Sequence, residues 1–234
     1  MSMLECTALS KNYGSIEALR SIDLNLESGR IVGLVGPNGS GKTTLIKLAQ
    51  HLLTPTSGMI TIDGMIPGPQ TKAIVSYLPD RDFLPQWMNL DELMTFYHDF
   101  FPDFNPAKAA NMLDALGVSG RQPLGKMSKG TREKVQLIFT MSREAKVYLL
   151  DEPIAGVDPA TRDYILRTIL SNYSENALVL ISTHLITDVE PILDEVVFLQ
   201  KGTIELHENA DALRERTGKS IDGYFREVYR CWGN

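Results

Sequence analysis

The stretch Gly36-Pro37-Asn38-Gly39-Ser40-Gly41-Lys42-Thr43-Thr44 follows directly on the apolar run Ile31-Val32-Gly33-Leu34-Val35. Glycine costs about 0.5–1 kcal/mol relative to alanine inside regular structure, so a cluster of it around one lysine needs a local reason. An anion supplies one. Without side chains, backbone N–H groups converge on phosphate oxygens, and the start of the following helix adds its positive dipole end. Lys42 then reaches the β- and γ-phosphates and the Thr43 hydroxyl ligates Mg²⁺. The spacing fits G-x-x-x-x-G-K-[ST] at every fixed position. A tight turn carrying an exposed lysine is the bland alternative, and the strand before and helix after tell against it. This loop alone does not separate kinases, GTPases and ATPases.

A second constellation lies in "VYLLDEP", where an apolar strand delivers Asp151 and Glu152 side by side at its carboxyl end. Asp151 can hold the magnesium shell. Glu152, on the opposite face, is placed to polarise a water for in-line attack on the γ-phosphate. A third strand, "ISTH", ends at His184, which can reach the γ-phosphate or orient that water.

The elements that must position these groups are legible around them. The segment from Met3 to Leu26 alternates in short runs that suit antiparallel strands at a sheet edge. A helix is predicted over Lys42 to His51, and strands over "GMITIDGM" and "AIVSYLP", the latter closed by Pro79. From 80 to 143 the chain turns rich in aromatics and methionines at helical spacing, which predicts an inserted helical lobe. Parallel-sheet patterning resumes with "KVYLLDEP", a helix over Ala160 to Ser171, and "ALVLISTH". A hairpin turning at Lys201-Gly202 follows, then the amphipathic ending "SIDGYFREVYRCW". The expected organisation is one α/β domain of 234 residues: a core of 1–79 and 144–208, a helical lobe of 80–143 and a helical tail of 209–234.

Composition narrows the rest. A formal net charge of −6 opposes a broad nucleic-acid surface, so no nucleic acid is expected as a partner. Apolar runs reach only about five residues, as in Ala177 to Ile181, far short of the ~20 that span a bilayer, and the N-terminus lacks a secretory pattern. The cytosol is the expected location. Cys6 and Cys231 have no CxxC partner and read as free thiols.

Taken together, these residues resemble the nucleotide-binding subunits of ABC transporters over almost the whole chain. The resemblance implies a P-loop NTPase (RecA-like) core with an antiparallel β edge subdomain and an inserted α-helical subdomain. In it, Gly36 to Thr44 matches the Walker A loop, "VYLLDEP" the Walker B strand and "ISTH" the switch histidine. "AGVDP" matches the D-loop through Asp158, and Tyr13 sits where the family stacks an aromatic on adenine. The signature loop, usually LSGGQ, is similar to "MSKGT": Ser128 and Gly130 are kept, while Lys129 and Thr131 depart. Lys129 either adds attraction to a phosphate or points to solvent. The Q-loop glutamine position is occupied by Asp80, a shorter and charged candidate metal ligand.

The resemblance further implies ATP and Mg²⁺ as cofactors and a second subunit whose signature loop closes over the first subunit's γ-phosphate, in a homodimer or heterodimer. It implies an integral-membrane permease that holds the chain at the inner face of the membrane. The helical lobe would receive a coupling helix from that permease. The spelling "YLPDRDFLP" together with the tail resembles the bacterial ABC-2-like exporter group. Two rival readings are an ABC ATPase acting on nucleic acid or ribosomes and a P-loop kinase. The first usually carries a coiled-coil insertion or tandem cassettes, and the second leaves "MSKGT" and Asp151-Glu152 unexplained.

Overall fold

A computed structural model describes residues 2–118 and 122–230; Cys231, one of the two expected free thiols, lies outside them. Two long strands, β1 (Ser2–Tyr13) and β2 (Ile16–Glu27), pair antiparallel, and β3 (Arg30–Val35) then leads into the glycine loop and α1 (Lys42–Ala49). β4 (Ser57–Ile62), α2 (Pro69–Lys72) and β5 (Val75–Leu78) follow, then α3 (Leu90–Phe100), α4 (Pro106–Leu116) and α5 (Lys129–Met141). The chain continues through β6 (Val147–Asp151), α6 (Pro159–Asn172), β7 (Leu178–Thr183) and α7 (Ile186–Val189). It ends with β8 (Glu195–Gln200), β9 (Thr203–Asn209), α8 (Ala210–Thr217) and α9 (Ile221–Arg230).

The strands divide into two sheets. The first, in the order β2-β1-β4, is antiparallel; the second runs β5-β6-β7-β3-β8-β9, parallel except for the last strand. The four neighbouring strands β6, β7, β3 and β8 are almost wholly buried, which is why they read as continuous apolar runs rather than alternating ones. Their parallel pairing brings all their carboxyl ends to one side, the usual place for a ligand in such a sheet. In register, Asp151 pairs with Ser182 and Val35 with Thr183, so the tips of β6, β7 and β3 form one row.

The expected hairpin is present: Lys201 and Gly202 both have positive φ (45° and 83°), as a two-residue primed turn requires. α1 starts at Lys42 as the sequence predicts, and α6 extends the expected helix at both ends. In the 80–143 stretch, α3 starts with a reciprocal capping box, Asn89 accepting from Glu92 N and Glu92 from Asn89 N. Its aromatics form a core of their own, with Tyr97 within 5.3 Å of Phe101, Phe104 and Phe139 ring centres. α5 is shared: Val135, Ile138 and Phe139 face that small core, while Leu137 and Met141 join the core beneath the main sheet.

Arg143 ties the two together. Its guanidinium, 4 % exposed, is fork-bonded to Asp103 at 2.9 Å through both Nε and Nη2, donates to Val75 O at 2.7 Å and lies 4.2 Å from the centre of the Phe101 ring. At the other end of the chain, α9 lays Phe225 and Tyr229 against Phe198 of β8. No helix among the described residues is long and apolar enough to cross a membrane.

Candidate functional site

The loop between β3 and α1 keeps its shape through close backbone approaches that only glycine permits. A Cβ on Gly36 would lie 2.1 Å from Leu199 O, and one on Gly41 2.6 Å from Ala18 O, where φ is also +113°. Gly39, at φ +81°, faces open space instead. The β8–β9 turn braces the loop from outside, with Gly202 N donating to Ser40 O at 3.0 Å. The close approach of β8 at Leu199 and of β2 at Ala18 explains why glycine is needed at Gly36 and Gly41.

Lys42 is 5 % exposed, and its Nζ donates to Gly36 O at 2.8 Å and Pro37 O at 3.2 Å while lying 3.5 Å from Glu152 Oε1. The amine thus curls over its own loop, where it can exchange carbonyls for phosphate oxygens. Ser40 Oγ is buried with no hydrogen-bond partner among the described residues. A buried orphan polar atom is costly, and its position in a glycine cradle fits a phosphate acceptor.

The β6 and β7 tips supply the carboxylates. Asp151 is fully buried; its Oδ1 accepts from Ser182 Oγ at 2.5 Å and Thr43 Oγ1 at 3.2 Å, and its Oδ2 has no partner among the described residues. Burial pushes the Asp151 carboxyl above the usual carboxylate range; the Ser182 and Thr43 hydroxyls oppose this, and the charges of Asp80 and Glu152 add to it. A buried carboxylate oxygen without a donor, next to a threonine hydroxyl, is a fitting seat for a divalent cation.

Glu152 sits at φ +51°, a left-handed conformation uncommon outside glycine, with its N–H donating to Ser182 O at 3.0 Å. Its side chain is 14 % exposed and bridges Lys42 on Oε1 to His184 Nδ1, 2.9 Å from Oε2. Backbone strain of this kind clusters at functional sites. The arrangement links an ammonium, a carboxylate and an imidazole, with Glu152 in the middle.

The remaining predicted residues are distributed around this centre. Asp80 is exposed, and lines a cleft of about 350 Å³ with Glu152, Lys129 and Arg132. No hydrogen bond joins Asp80 to Thr43 or Asp151 among the described residues. Ser128 caps α5, accepting from Thr131 N at 3.2 Å. Lys129 Nζ, its side chain 70 % exposed, lies 3.6 Å from Glu133 and 3.9 Å from where a Gly156 Cβ would stand. Gly130 has open space around it. Among the described residues no hydrogen bond or ion pair connects Ser128, Lys129 or Gly130 to the Gly36–Thr44 loop of the same chain.

Asp158 caps α6 through Thr161 N at 3.0 Å. Tyr13, 44 % exposed at the end of β1, carries Lys11 Nζ 5.4 Å from its ring centre.

The sequence reading missed two participants. Ser182 is the partner of Asp151, and it could have been found as a hydroxyl beside Thr183 at the end of a buried apolar strand. Asp82, held by Arg132 Nε at 3.2 Å and Gln136 Nε2 at 3.0 Å, fastens the segment after β5 to α5. It gave no local signal, because its partners lie about fifty residues away.

The profile of the family described as "ABC transporter" matches residues 19–155, more than half of the chain. The chain belongs to the ABC transporter family. The match takes in the glycine loop, Asp80, the Ser128 segment and the Asp151–Glu152 pair, and leaves Tyr13, Asp158 and His184 outside it. Among curated relatives, the ABC transporter ATP-binding protein YtrB of Bacillus subtilis is 27 % identical over 216 residues, covering 91 % of this chain and 74 % of the relative. The lantibiotic transport ATP-binding protein SrtF of Streptococcus pyogenes is 26 % identical over 215 residues, covering 89 % and 92 %. A solved structure described as an ATP binding subunit of an ABC transporter superposes with a TM-score of 0.86 at 27 % identity, covering 97 % of this chain and all of that one.

This ABC cassette is therefore the ATP-binding, ATP-hydrolysing subunit of a transporter. The rival reading as an ABC ATPase acting on nucleic acid or ribosomes is set aside by these relatives.

Proposed function

We propose that two cassettes, identical or paired with a different one, bind two MgATP between them and drive export through a separate membrane permease from its cytoplasmic side. In each site the Gly36–Thr44 amides and Lys42 receive the β- and γ-phosphates, and Tyr13 stacks on adenine. Thr43 and Asp151 would hold the magnesium ion, with Asp80 as a further candidate. When bound, that ion neutralises charge on the β- and γ-phosphates. The Ser128, Lys129 and Gly130 segment closes on the γ-phosphate of the opposite copy, and Asp158 lines the same seam.

Hydrolysis then follows from the geometry around Glu152. Its carboxylate takes a proton from water while the water oxygen forms a bond to the γ-phosphorus. The bond from the γ-phosphorus to the bridging oxygen breaks, and that oxygen leaves on ADP with the released charge. His184, 2.9 Å from Glu152, holds that carboxylate in line. In this reading 1–79 and 144–208 form the catalytic core, 80–143 the lobe that meets the permease, and 209–234 a tail.

The observation that carries the reading is that two of the three orphaned buried side-chain atoms among the described residues are Ser40 Oγ, in the glycine loop beside Lys42, and Asp151 Oδ2, on the carboxylate bonded to Thr43. A transport role is supported by the name of the lantibiotic transport relative. The test is expression with the membrane protein encoded beside it: a detergent-stable complex whose ATPase rises on reconstitution supports the reading. Failure to associate with any multi-span protein would refute the transport part.

A further inference from the structure

His184 is bonded to Glu152, and what fixes the histidine lies downstream of it. It is followed at once by α7, a helix of four residues. A single turn has no stability of its own, so its position is set by packing and by whatever holds its ends. On one side Asp188 of α7 pairs with Arg162 Nη1 at 2.9 Å, and the same arginine donates from Nε to Val157 O in the D-loop segment at 3.2 Å. On the other side is Glu190, the residue that closes α7.

The Glu190 side chain is 12 % exposed and points away from the nucleotide toward the tail. Its Oε1 accepts from Ile221 N at 2.8 Å and Arg214 Nε at 3.3 Å, and its Oε2 accepts from Asp222 N at 3.3 Å. A carboxylate six residues after His184 thus caps the N-terminus of α9, a distant helix, where the helix dipole and two free amides favour it. Arg214 Nη2 also donates to Glu190 O at 2.8 Å, so main chain and side chain are both held. Ile221, Ile186 and Val189 are buried in the same core, and Phe225 and Tyr229 clamp α9 onto Phe198. Tail and switch segment are therefore fastened to one another.

We propose that Glu190 is a positioning residue for hydrolysis: by capping α9 it anchors α7 and so holds His184 on Glu152. This inference rests on the roles of Glu152 and His184 proposed above. Glu190 touches neither nucleotide nor water, so its loss should slow turnover without weakening ATP binding.

The test uses the full chain: wild type, Glu190→Ala and Glu190→Gln, each alone and with His184→Ala, compared in steady-state MgATP hydrolysis and in hydrogen exchange of the 185–189 amides. Glu190→Ala is expected to lower kcat about 10-fold with KM within about twofold, since a displaced catalytic group costs rate rather than affinity. Glu190→Gln keeps its acceptor oxygen and should recover to within about threefold of wild type. With His184 already removed, Glu190→Ala should cost nothing more. Exchange at 185–189 should quicken in Glu190→Ala, and slightly in Glu190→Gln, while β3 stays protected.

Equal losses in both backgrounds, KM rising in step with the fall in kcat, or unchanged exchange at 185–189 would overturn the proposal. Should Glu190→Ala fail to fold, exchange in Glu190→Gln decides by the same criterion. A wild-type chain that binds MgATP without hydrolysing it would instead sink the hydrolytic reading itself.

Discussion

Glu152→Gln isolates proton abstraction from everything else the site does. The amide keeps the size of the carboxylate, an acceptor toward His184 at 2.9 Å and the left-handed turn at φ +51°. What it loses is the ability to take a proton. A positioned general base contributes about 10²- to 10⁴-fold, or about 3–5 kcal/mol of barrier. The same change removes a negative charge 3.5 Å from Lys42 Nζ, where both side chains are largely buried. At an effective dielectric near 20 such a pair attracts by about 5 kcal/mol before desolvation is subtracted. Freed from it, Lys42 turns more readily to phosphate. Two readouts should thus diverge: phosphate release under saturating MgATP falls by two to four orders of magnitude, while nucleotide titration shows equal or tighter binding. Turnover within about threefold of wild type would show that Glu152 is not the base, and weaker binding would show that its pairing with Lys42 does not restrain the amine.

Three further outcomes are expected. Arg143→Met removes the guanidinium that joins Asp103 to Val75 O, leaving a partly buried carboxylate unpaired; urea denaturation should register a loss of about 3–5 kcal/mol. Lys129→Gly removes an i,i+4 pair between an exposed lysine and a half-buried glutamate, worth only about 0.3–0.5 kcal/mol. Its effect should therefore appear in ATP-driven dimerisation, as weaker association with a shallower salt dependence, and sedimentation showing neither change would remove the phosphate role of Lys129. Burial, with the Asp23 and Glu5 charges adding, pushes the Cys6 thiol up to about 12 from 9.0. The folded pKa is the higher one, so this contribution is present below pH 9 and is lost as pH rises through about 12. Peptide mapping after alkylation at pH 8 should find Cys6 unmodified until the chain unfolds.

The parts of the site legible in the sequence are those whose physics is local. Glycine spacing around Lys42, the apolar strand before it and the helix after it sit within about fifteen residues, and the structure places them as read. Strands buried on both faces appear as apolar runs, so β6 and β7 and the residues at their tips could be placed by pattern. Burial that depends on distant partners left no such mark. Asp103 and Arg143 are forty residues apart, and Glu190 meets Ile221 only after β8, β9 and α8 have brought the chain back. α8 itself carried a local cue, Asn209 bonded to the amides of Asp211 and Ala212, inside what reads only as a helical tail. The early strands show alternation but not their partners: β1 takes β4 as well as β2, and the three make a sheet separate from the main one. Lys129, which the sequence lets either attract a phosphate or point to solvent, is 70 % exposed in the single chain and lies 3.6 Å from its own Glu133.

The central claim is that the Gly36–Thr44 cradle takes up a triphosphate with its cation. Isothermal titration of the purified chain with ATP and magnesium tests it most directly. The expected result is saturable heat at one nucleotide per chain, abolished or weakened at least about tenfold by Lys42→Ala with the fold intact. Absence of heat from the wild type, or binding that Lys42→Ala leaves untouched, would contradict it.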